Sequence, residues 1–285
     1  MKLAIIGNNL RYSVSPFMHE YLYKAMGLEA SYNKINLKNG LDEWAGTKKI
    51  KNVDGFNVTV PFKESIVAYL DEVNPKAEIL GAVNCVLKKD NKLIGFNTDW
   101  YGFTKMISGA MVDVEGKTVT ILGAGGASRA AVFALAQLNT KRVNIIARRV
   151  EQATFLKDEL EPACKPTEIH VYRWDETAVD AIESCYALVN TTPIGMKPRT
   201  SYSPIDADLL SGIEFVIDTV YNPLNTRLLS EAMFSDCQTV TGLDMLLYQA
   251  LASVDIWFGP QDWSKLDFDA FREAVTYKIT GFKRL

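Results

Sequence analysis

The chain has 285 residues, of which 48% are hydrophobic and 23% charged, so it can form one large or two ordinary globular domains. Its formal net charge of −3 excludes the basic surface that non-specific nucleic-acid binding requires. No apolar run reaches the roughly 20 residues that a membrane-spanning helix needs. The first residues lead directly into a strand pattern, so we expect neither a membrane span nor a signal peptide.

The cysteines and histidines are too few and too scattered to predict a metal site. Four cysteines occur without a C-x-x-C pair, and imidazoles come only from His19 and His170. We therefore expect reduced thiols, a cytoplasmic protein and no metal, and we assign neither histidine a chemical role.

Strand and helix patterns of both kinds fill the first hundred residues. Apolar runs predict strands at residues 3–7, 30–36, 55–60, 81–87 and 93–97. A polar turn at 89–92 joins the last two strands as a hairpin. Helical spacing predicts helices at residues 16–27, 41–50, 66–70 and 76–80. This part is therefore a mixed α/β domain with strands of both directions.

Strand and helix then alternate, which predicts a doubly wound parallel sheet of the Rossmann type. The strand patterns fall at residues 118–122, 142–147, around 171, 187–190 and 214–218, and clear helices at 100–111 and 127–138. Two long helices at 242–257 and 268–279 are followed by no strand pattern. We predict a first, substrate-binding domain over 1–101, a nucleotide-binding domain over 102–240, and C-terminal helices over 241–285 that return to the first domain.

One lysine stands where a strand is expected to end in polar side chains. The segment NVTVPFKE at 57–64 places Thr59 and Lys63 around Pro61, and a turn at this point directs such side chains into a cleft. A partly buried lysine can give or take a proton during a reaction. An arbitrary lysine is more often a solvated charge, but a second polar strand end with Asp99 favours the chemical interpretation.

A glycine loop, GAGGASR at 123–129, follows one predicted strand and opens the next helix. That context is typical of a dinucleotide site, in which the helix N-terminus binds the pyrophosphate, although a plain turn remains the alternative. The following strand ends in Arg148 and Arg149 instead of the acidic residue that an NAD site presents. Two arginines suit a 2′-phosphate and predict NADP, unless they are only a solvated pair.

Other candidates are ambiguous from the residues alone. Ser15 precedes Pro16, which favours an N-cap, although Ser15 and the Ser13 hydroxyl two residues earlier could instead bind a polyol or a carboxylate. Tyr221 follows a predicted strand and either contacts substrate or closes the core. Gln249 lies on a predicted helix and is a solvated polar residue by default.

Taken in order, these segments resemble the shikimate dehydrogenase family over nearly the whole chain. The resemblance is carried by residues 13–16, 57–63, 81–84, 97–99, 123–129, 190–196, 218–223 and 242–249. It implies reversible NADPH-dependent reduction of 3-dehydroshikimate to shikimate in aromatic amino-acid (chorismate) biosynthesis. It also implies Lys63 and Asp99 as the catalytic pair. The implied substrate ligands are Ser13, Ser15, Thr59, Asn84, Tyr221 and Gln249. The implied NADP contacts are Gly123, Ala124, Gly125, Gly126, Ala127, Arg148, Arg149, Thr219 and Gly242.

The chain departs from the family pattern at a few positions, of which Cys85 and Trp100 adjoin site residues. Trp100 follows Asp99 where many members have glycine, and its bulk either narrows the pocket or only covers it. Two other functions stay open: an NAD-dependent quinate/shikimate dehydrogenase, and a non-catalytic sensor of the same ligands. We expect a small-molecule substrate, no nucleic acid or membrane partner, and a monomer or homodimer.

Overall fold

The computed structural model describes residues 1–42 and 52–281. The chain divides into two compact units, which we call the first and the second unit. The first unit combines Met1–Thr98 with the chain from Gln249 onward, and the second unit is Asp99–Tyr248. The domain boundaries that the sequence analysis places after residues 101 and 240 remain predictions, and this division into units does not test them.

The first unit is built on a six-stranded mixed sheet in the order β2-β1-β3-β5-β6-β4. Its strands are β1 Lys2–Gly7, β2 Ser31–Asn36, β3 Gly55–Val58, β4 Glu72–Val73, β5 Cys85–Lys89 and β6 Lys92–Phe96. β1 pairs in parallel with both β2 and β3, whereas β3, β5 and β6 pair antiparallel. The continuous apolar run of β1 fits its place inside the sheet, because residues 3–7 are all buried.

The helices of the first unit come from both ends of the chain. They are α1 Ser15–Met26, α2 Pro75–Leu80 and, after the second unit, the end of Leu243–Phe258 and the helix Phe268–Thr280. The ring of Phe271 packs 5.2 Å from that of Tyr21, and Trp257 Nε1 donates to the carbonyl oxygen of Val86 at 3.0 Å. The prediction that the C-terminal helices return to the first domain is thereby confirmed.

The second unit contains six parallel strands in the order β12-β11-β10-β7-β8-β9. They are β7 Thr118–Leu122, β8 Arg142–Ile146, β9 Glu168–Tyr172, β10 Ala187–Asn190, β11 Phe215–Asp218 and β12 Gln238–Thr241. The helices are α3 Asp99–Gly109, α4 Gly126–Gln137, α5 Val150–Cys164, α6 Glu176–Glu183, α7 Arg227–Phe234 and α8 Leu243–Phe258, the last continuing into the first unit. We label Phe268–Thr280 α9. The strand order reverses between β7 and β10, which is where Rossmann-type sheets bind dinucleotides.

The fold class predicted from the sequence is confirmed, with local corrections. The strand predicted over 55–60 ends at Val58, and the hairpin strand predicted from 81 begins at Cys85. The helix predicted at 66–70 is a 3₁₀ turn, and β4 and β12 were missed. Most of the helix predicted over 41–50 lies outside the described residues. No helix in residues 1–42 and 52–281 is long and apolar enough to cross a membrane.

An aromatic cluster in the first unit encloses His19. The imidazole is fully buried, stacks 4.2 Å from the ring of Tyr32, and has Trp257 at 5.3 Å and Tyr23 at 5.8 Å. Neither ring nitrogen meets a hydrogen-bond partner within the described chain. Burial removes the charged form from water, so the pKa of His19 falls from 6.5 to about 3. The imidazole is therefore neutral in the folded protein.

This burial predicts a specific loss of stability in mild acid. Below pH 6.5 the unfolded chain binds a proton on His19 that the folded protein does not bind until about pH 3. The free energy of unfolding should therefore fall, by about 2 kcal/mol between pH 7.5 and pH 5 from this residue. His19→Phe should show a correspondingly smaller loss when urea unfolding is measured at both pH values. At pH 7.5 the difference in free energy of unfolding between the variant and the wild type measures the packing cost of the substitution alone. If both proteins lost the same free energy of unfolding between pH 7.5 and pH 5, the prediction would be contradicted.

Candidate active site

The segment that carries Lys63 leaves β3 and turns beside the residues that precede β5. Thr59 N donates to Ile6 O at 3.0 Å, and Phe62 N donates to Thr59 O at 3.0 Å, which closes the turn. Lys63 is half-buried, and its carbonyl oxygen accepts from Val83 N at 2.7 Å. The turn thus places the lysine next to the chain that leads into Asn84.

The two serines lie where the chain enters α1. The helix begins at Ser15, the N-cap position is Val14, and no side chain caps it, so the cap interpretation of Ser15 is wrong. Instead, Ser13 Oγ accepts from Ser15 N at 3.3 Å and lies 3.2 Å from Ser15 Oγ. Ser15 is buried and Ser13 is half-buried, so the two hydroxyls form one local group.

Three buried side chains join the end of β6, the start of β5 and helix α8. Asn84 Oδ1 accepts from Thr98 N at 2.6 Å, and Asn84 Nδ2 donates to Thr98 Oγ1 at 2.9 Å. Gln249 Oε1 lies 3.4 Å from Asn84 Nδ2 and 3.5 Å from Thr98 Oγ1. Asn84 and Gln249, expected to be substrate ligands, are therefore brought together and oriented by Thr98. The default interpretation of Gln249 as a solvated residue is wrong, since it is 9% exposed.

Asp99 and Tyr221 lie in the second unit, whereas the other residues expected on the substrate side, and Lys63, lie in the first. Asp99 is 4% exposed and is the first residue of α3, where the helix dipole favours a carboxylate. The adjoining Trp100 packs edge-on against Phe133 of α4, with ring centroids 5.7 Å apart. Within the second unit the indole therefore packs on the helix that follows the glycine loop.

The glycine loop is tied to the loop that follows β10, its neighbour at the strand-order reversal. Gly123 has φ +110°, and a Cβ there would lie 2.9 Å from Thr191 Oγ1. Thr191 Oγ1 donates its proton to Leu122 O at 2.7 Å. In the 2.6 Å hydrogen bond between the two hydroxyls, Ser128 Oγ is therefore the donor and Thr191 Oγ1 the acceptor. Ser128 Oγ also accepts from Gly125 N at 3.2 Å. The sequence GAGGAS thus forms a braced turn at the start of α4, and Ser128 has a role there that a third glycine could not supply.

In the second unit, two arginines follow the C-terminal end of β8. Arg148 and Arg149 are both exposed, and Arg149 is the N-cap residue of α5. Exposed guanidinium groups beside a helix N-terminus form an arrangement that suits a phosphate group.

A buried carboxylate organises the loops after β10 and β11. Asp218 Oδ1 accepts from Asn190 Nδ2 and Val220 N, each at 3.0 Å, and Oδ2 accepts from Thr226 Oγ1 at 2.7 Å. Asp218 is completely buried, and this burial raises its pKa from 3.8 to about 6. Nearby, a Cβ on Gly242 would overlap the backbone of Thr219, so this position requires glycine.

Among residues 1–42 and 52–281, no group of three His, Cys, Asp or Glu side chains could share a metal ion.

Comparison with known proteins identifies the family. A shikimate dehydrogenase (NADP(+)) from Bacillus cereus (strain AH187) is 37% identical over 280 residues, which covers 98% of this chain and 98% of the relative. The chain belongs to the shikimate dehydrogenase family. The family model for the shikimate dehydrogenase substrate binding domain matches residues 5–86.

Solved structures of the shikimate dehydrogenase family share the whole architecture. The enzyme from Thermus thermophilus, in complex with NADP(H) and shikimate, is 32% identical with a TM-score of 0.82, covering 96% of this chain and 98% of that chain. A quinate dehydrogenase from Corynebacterium glutamicum, in complex with NAD, is 27% identical with a TM-score of 0.84, covering 96% and 98%. The same fold therefore carries both substrates and both cofactors.

Several residues that orient the expected substrate ligands could not be identified from the sequence. The sequence shows Asn57 and Thr98 only as members of longer motifs, and none of those motifs contains Ser253. Ser253 lies one helical turn after Gln249, so the i, i+4 spacing was the available signal. The sequence shows Asp218 only as a strand end, because one of its three partners, Asn190, ends a different strand.

The raised pKa of Asp218 predicts a pH effect opposite in sign to that of His19. Between pH 3.8 and about pH 6 the folded protein holds a proton on Asp218 that the unfolded chain has lost, so the free energy of unfolding falls as pH rises. From pH 5 to pH 7.5 this amounts to about 1 kcal/mol. Asp218→Asn, which keeps the side-chain shape, should lack this contribution in urea unfolding at the two pH values. An identical pH dependence in both proteins would contradict the assignment.

Proposed function

We propose that this protein is an NADP-dependent shikimate dehydrogenase that interconverts 3-dehydroshikimate and shikimate. One observation carries the proposal: the similarity to a relative named NADP(+) shikimate dehydrogenase extends over 98% of both chains. The Thermus thermophilus structure, which contains NADP(H) and shikimate, supports the same substrate and cofactor.

On the substrate side, hydroxyl and amide groups would bind the ring hydroxyls and the carboxylate. We propose as ligands Ser13, Ser15, Thr59, Asn84, Tyr221 and Gln249. Hydroxyls and amides both donate and accept hydrogen bonds, which suits a polyol acid. Asn84 and Gln249 are already oriented by Thr98, so less side-chain freedom is lost when a ligand binds.

We propose Lys63 and Asp99 as the catalytic pair. In the reductive direction the Lys63 ammonium polarises the ring carbonyl and donates a proton to its oxygen. In the oxidative direction the neutral amine takes the hydroxyl proton. Asp99 accepts a hydrogen bond from the same hydroxyl and so orients it.

The residues of the second unit fit NADP. The pyrophosphate would bind the backbone N–H groups of the glycine loop, from Gly123 through Ala124, Gly125 and Gly126 to Ala127. A side chain at Gly123 would fill the space against Thr191, and this supports a close backbone approach. Arg148 and Arg149 would hold the 2′-phosphate, and the backbone at Thr219 and Gly242 would border the nicotinamide. When bound, NADPH supplies the hydride that reduces the ketone.

We also propose a cytoplasmic monomer or homodimer. The four cysteines, Cys85, Cys164, Cys185 and Cys237, are buried free thiols, as expected in a reducing compartment. Light scattering of the purified protein would measure its oligomeric state.

The decisive experiment is oxidation of shikimate by the purified protein, followed by the absorbance of the reduced cofactor. Rates should be highest with shikimate and NADP among the four combinations of shikimate or quinate with NADP or NAD. A preference for quinate and NAD would favour the activity of the Corynebacterium glutamicum relative. Ligand binding without any reduced cofactor would favour a sensor.

Removing the lysine amine should affect chemistry more than binding. Lys63→Ala should lower kcat about 100- to 10,000-fold, since positioned proton transfer contributes an effect of this size, and should change KM for shikimate little. The matched control is Lys24→Ala, at an exposed lysine of α1, which should retain wild-type kcat. Activity of Lys63→Ala within a few-fold of wild type would overturn the assignment.

Removing both guanidinium groups should weaken the preference for NADP. The double variant Arg148→Ala and Arg149→Ala should raise KM for NADP about 10- to 100-fold, because charge-assisted hydrogen bonds to the 2′-phosphate are lost. KM for NAD, which lacks that phosphate, serves as the internal control and should change little. An equal rise for both cofactors would show that the arginines do not read the 2′-phosphate.

A further inference from the structure

A buried hydrogen-bond chain runs from β2 through β3 to helix α8 within the first unit. The hydroxyl of Tyr32 donates to Asn57 Oδ1 at 2.6 Å, and the carbonyl oxygen of Asn84, which can only accept, fixes which way the Asn57 amide faces. Asn57 Nδ2 then donates one hydrogen to Asn84 O at 3.1 Å and the other to Ser253 Oγ at 3.0 Å. Asn57 thereby connects the backbone of Asn84 to helix α8.

Ser253 links these hydrogen bonds to the residues expected to bind substrate. Its hydroxyl donates to the carbonyl oxygen of Gln249 at 2.9 Å and lies 3.3 Å from Thr98 Oγ1. With Asn57 and Thr98 as donors and Gln249 O as acceptor, the hydroxyl uses its full hydrogen-bonding capacity. Ser253 is completely buried and Asn57 is 6% exposed, so these bonds do not compete with bulk water.

The Thr98 hydroxyl is the point at which this chain meets the two amides. Asn84 Nδ2 donates to Thr98 Oγ1 at 2.9 Å, and the single Thr98 proton has three acceptors within reach: Asn84 Oδ1 and Ser253 Oγ, each at 3.3 Å, and Gln249 Oε1 at 3.5 Å. Removing the Ser253 hydroxyl leaves the Asn57 donor without this acceptor, takes one of three acceptors from the Thr98 proton, and removes a side-chain hydrogen bond to the carbonyl oxygen of Gln249. The orientations of Asn84 and Gln249 then become less restricted.

We propose that Ser253, held by Asn57, is a positioning residue that fixes the Asn84 and Gln249 amides for the carboxylate and hydroxyls of the substrate. The inference rests on the proposed function and adds to it a residue that acts through the binding side chains. Its effect is on substrate binding, because Lys63 and the cofactor loop take no part in these hydrogen bonds.

The test is steady-state kinetics of Ser253→Ala with shikimate and NADP. We expect KM for shikimate to rise about 5- to 10-fold, the effect of losing one buried hydrogen bond, while kcat and KM for NADP stay within about twofold. Ser253→Thr, which keeps the hydroxyl, should recover most of the loss. The matched control is Ser184→Ala, which removes a hydrogen bond to the carbonyl four residues earlier from an exposed serine just after helix α6 in the second unit, and it should change nothing.

A double-mutant cycle separates positioning from general damage. In a Gln249→Ala background, Ser253→Ala should raise KM for shikimate much less than it does in the wild type, because the amide it orients is gone. Equal effects in both backgrounds, or a lowered melting temperature with unchanged KM, would overturn the positioning role. A wild-type protein that neither oxidises nor binds shikimate would remove the proposed function. An active wild type whose KM is unaffected by Ser253→Ala would remove only this inference.

Discussion

The side-chain amide of Asn57 is the constraint on which the first unit depends. A buried amide left without partners costs about 1–3 kcal/mol, and Asn57 meets that demand through Tyr32, Asn84 and Ser253. These three partners lie before, after and far beyond it in the chain. The hydrogen bonds of this one amide therefore connect β2, the backbone before β5 and helix α8 to strand β3.

The second unit depends on a comparable arrangement at the strand-order reversal. There Thr191 joins the end of β7 to Ser128 at the start of α4, and Asp218 joins the two loops that follow β10 and β11. Both sets of bonds lie at the carboxyl ends of the parallel strands, where a doubly wound sheet opens toward ligands. These loops are thus held by buried and partly buried hydrogen bonds within the chain itself.

Features with a local cause were predictable from the sequence, and features with a distant cause were not. The glycine loop and its flanking strand and helix follow from Gly123 and its neighbours, so these elements could be predicted. By contrast, Asn57 and Ser253 are 196 positions apart, and only the folded chain brings them within hydrogen-bonding distance. β12 could not be predicted because Gln238–Thr241 does not alternate between buried and exposed residues. β4 could not be predicted because a strand of two residues is too short to show a periodic pattern. The N-cap interpretation of Ser15 was wrong because the sequence does not show whether α1 begins at Ser15 or after it.

The first unit is assembled from the two ends of the chain, and this sets an order of events during synthesis on the ribosome. When Thr98 has been made, Asn57 Nδ2 still lacks Ser253, and the carbonyl of Val86 still lacks the Trp257 indole. All of Asp99–Tyr248 is translated before those partners exist. The second unit can therefore complete its own hydrogen bonds on the nascent chain, while the first unit has to wait for the last helices. A chain shortened at its C-terminal end would lose the hydrogen bonds of the first unit first.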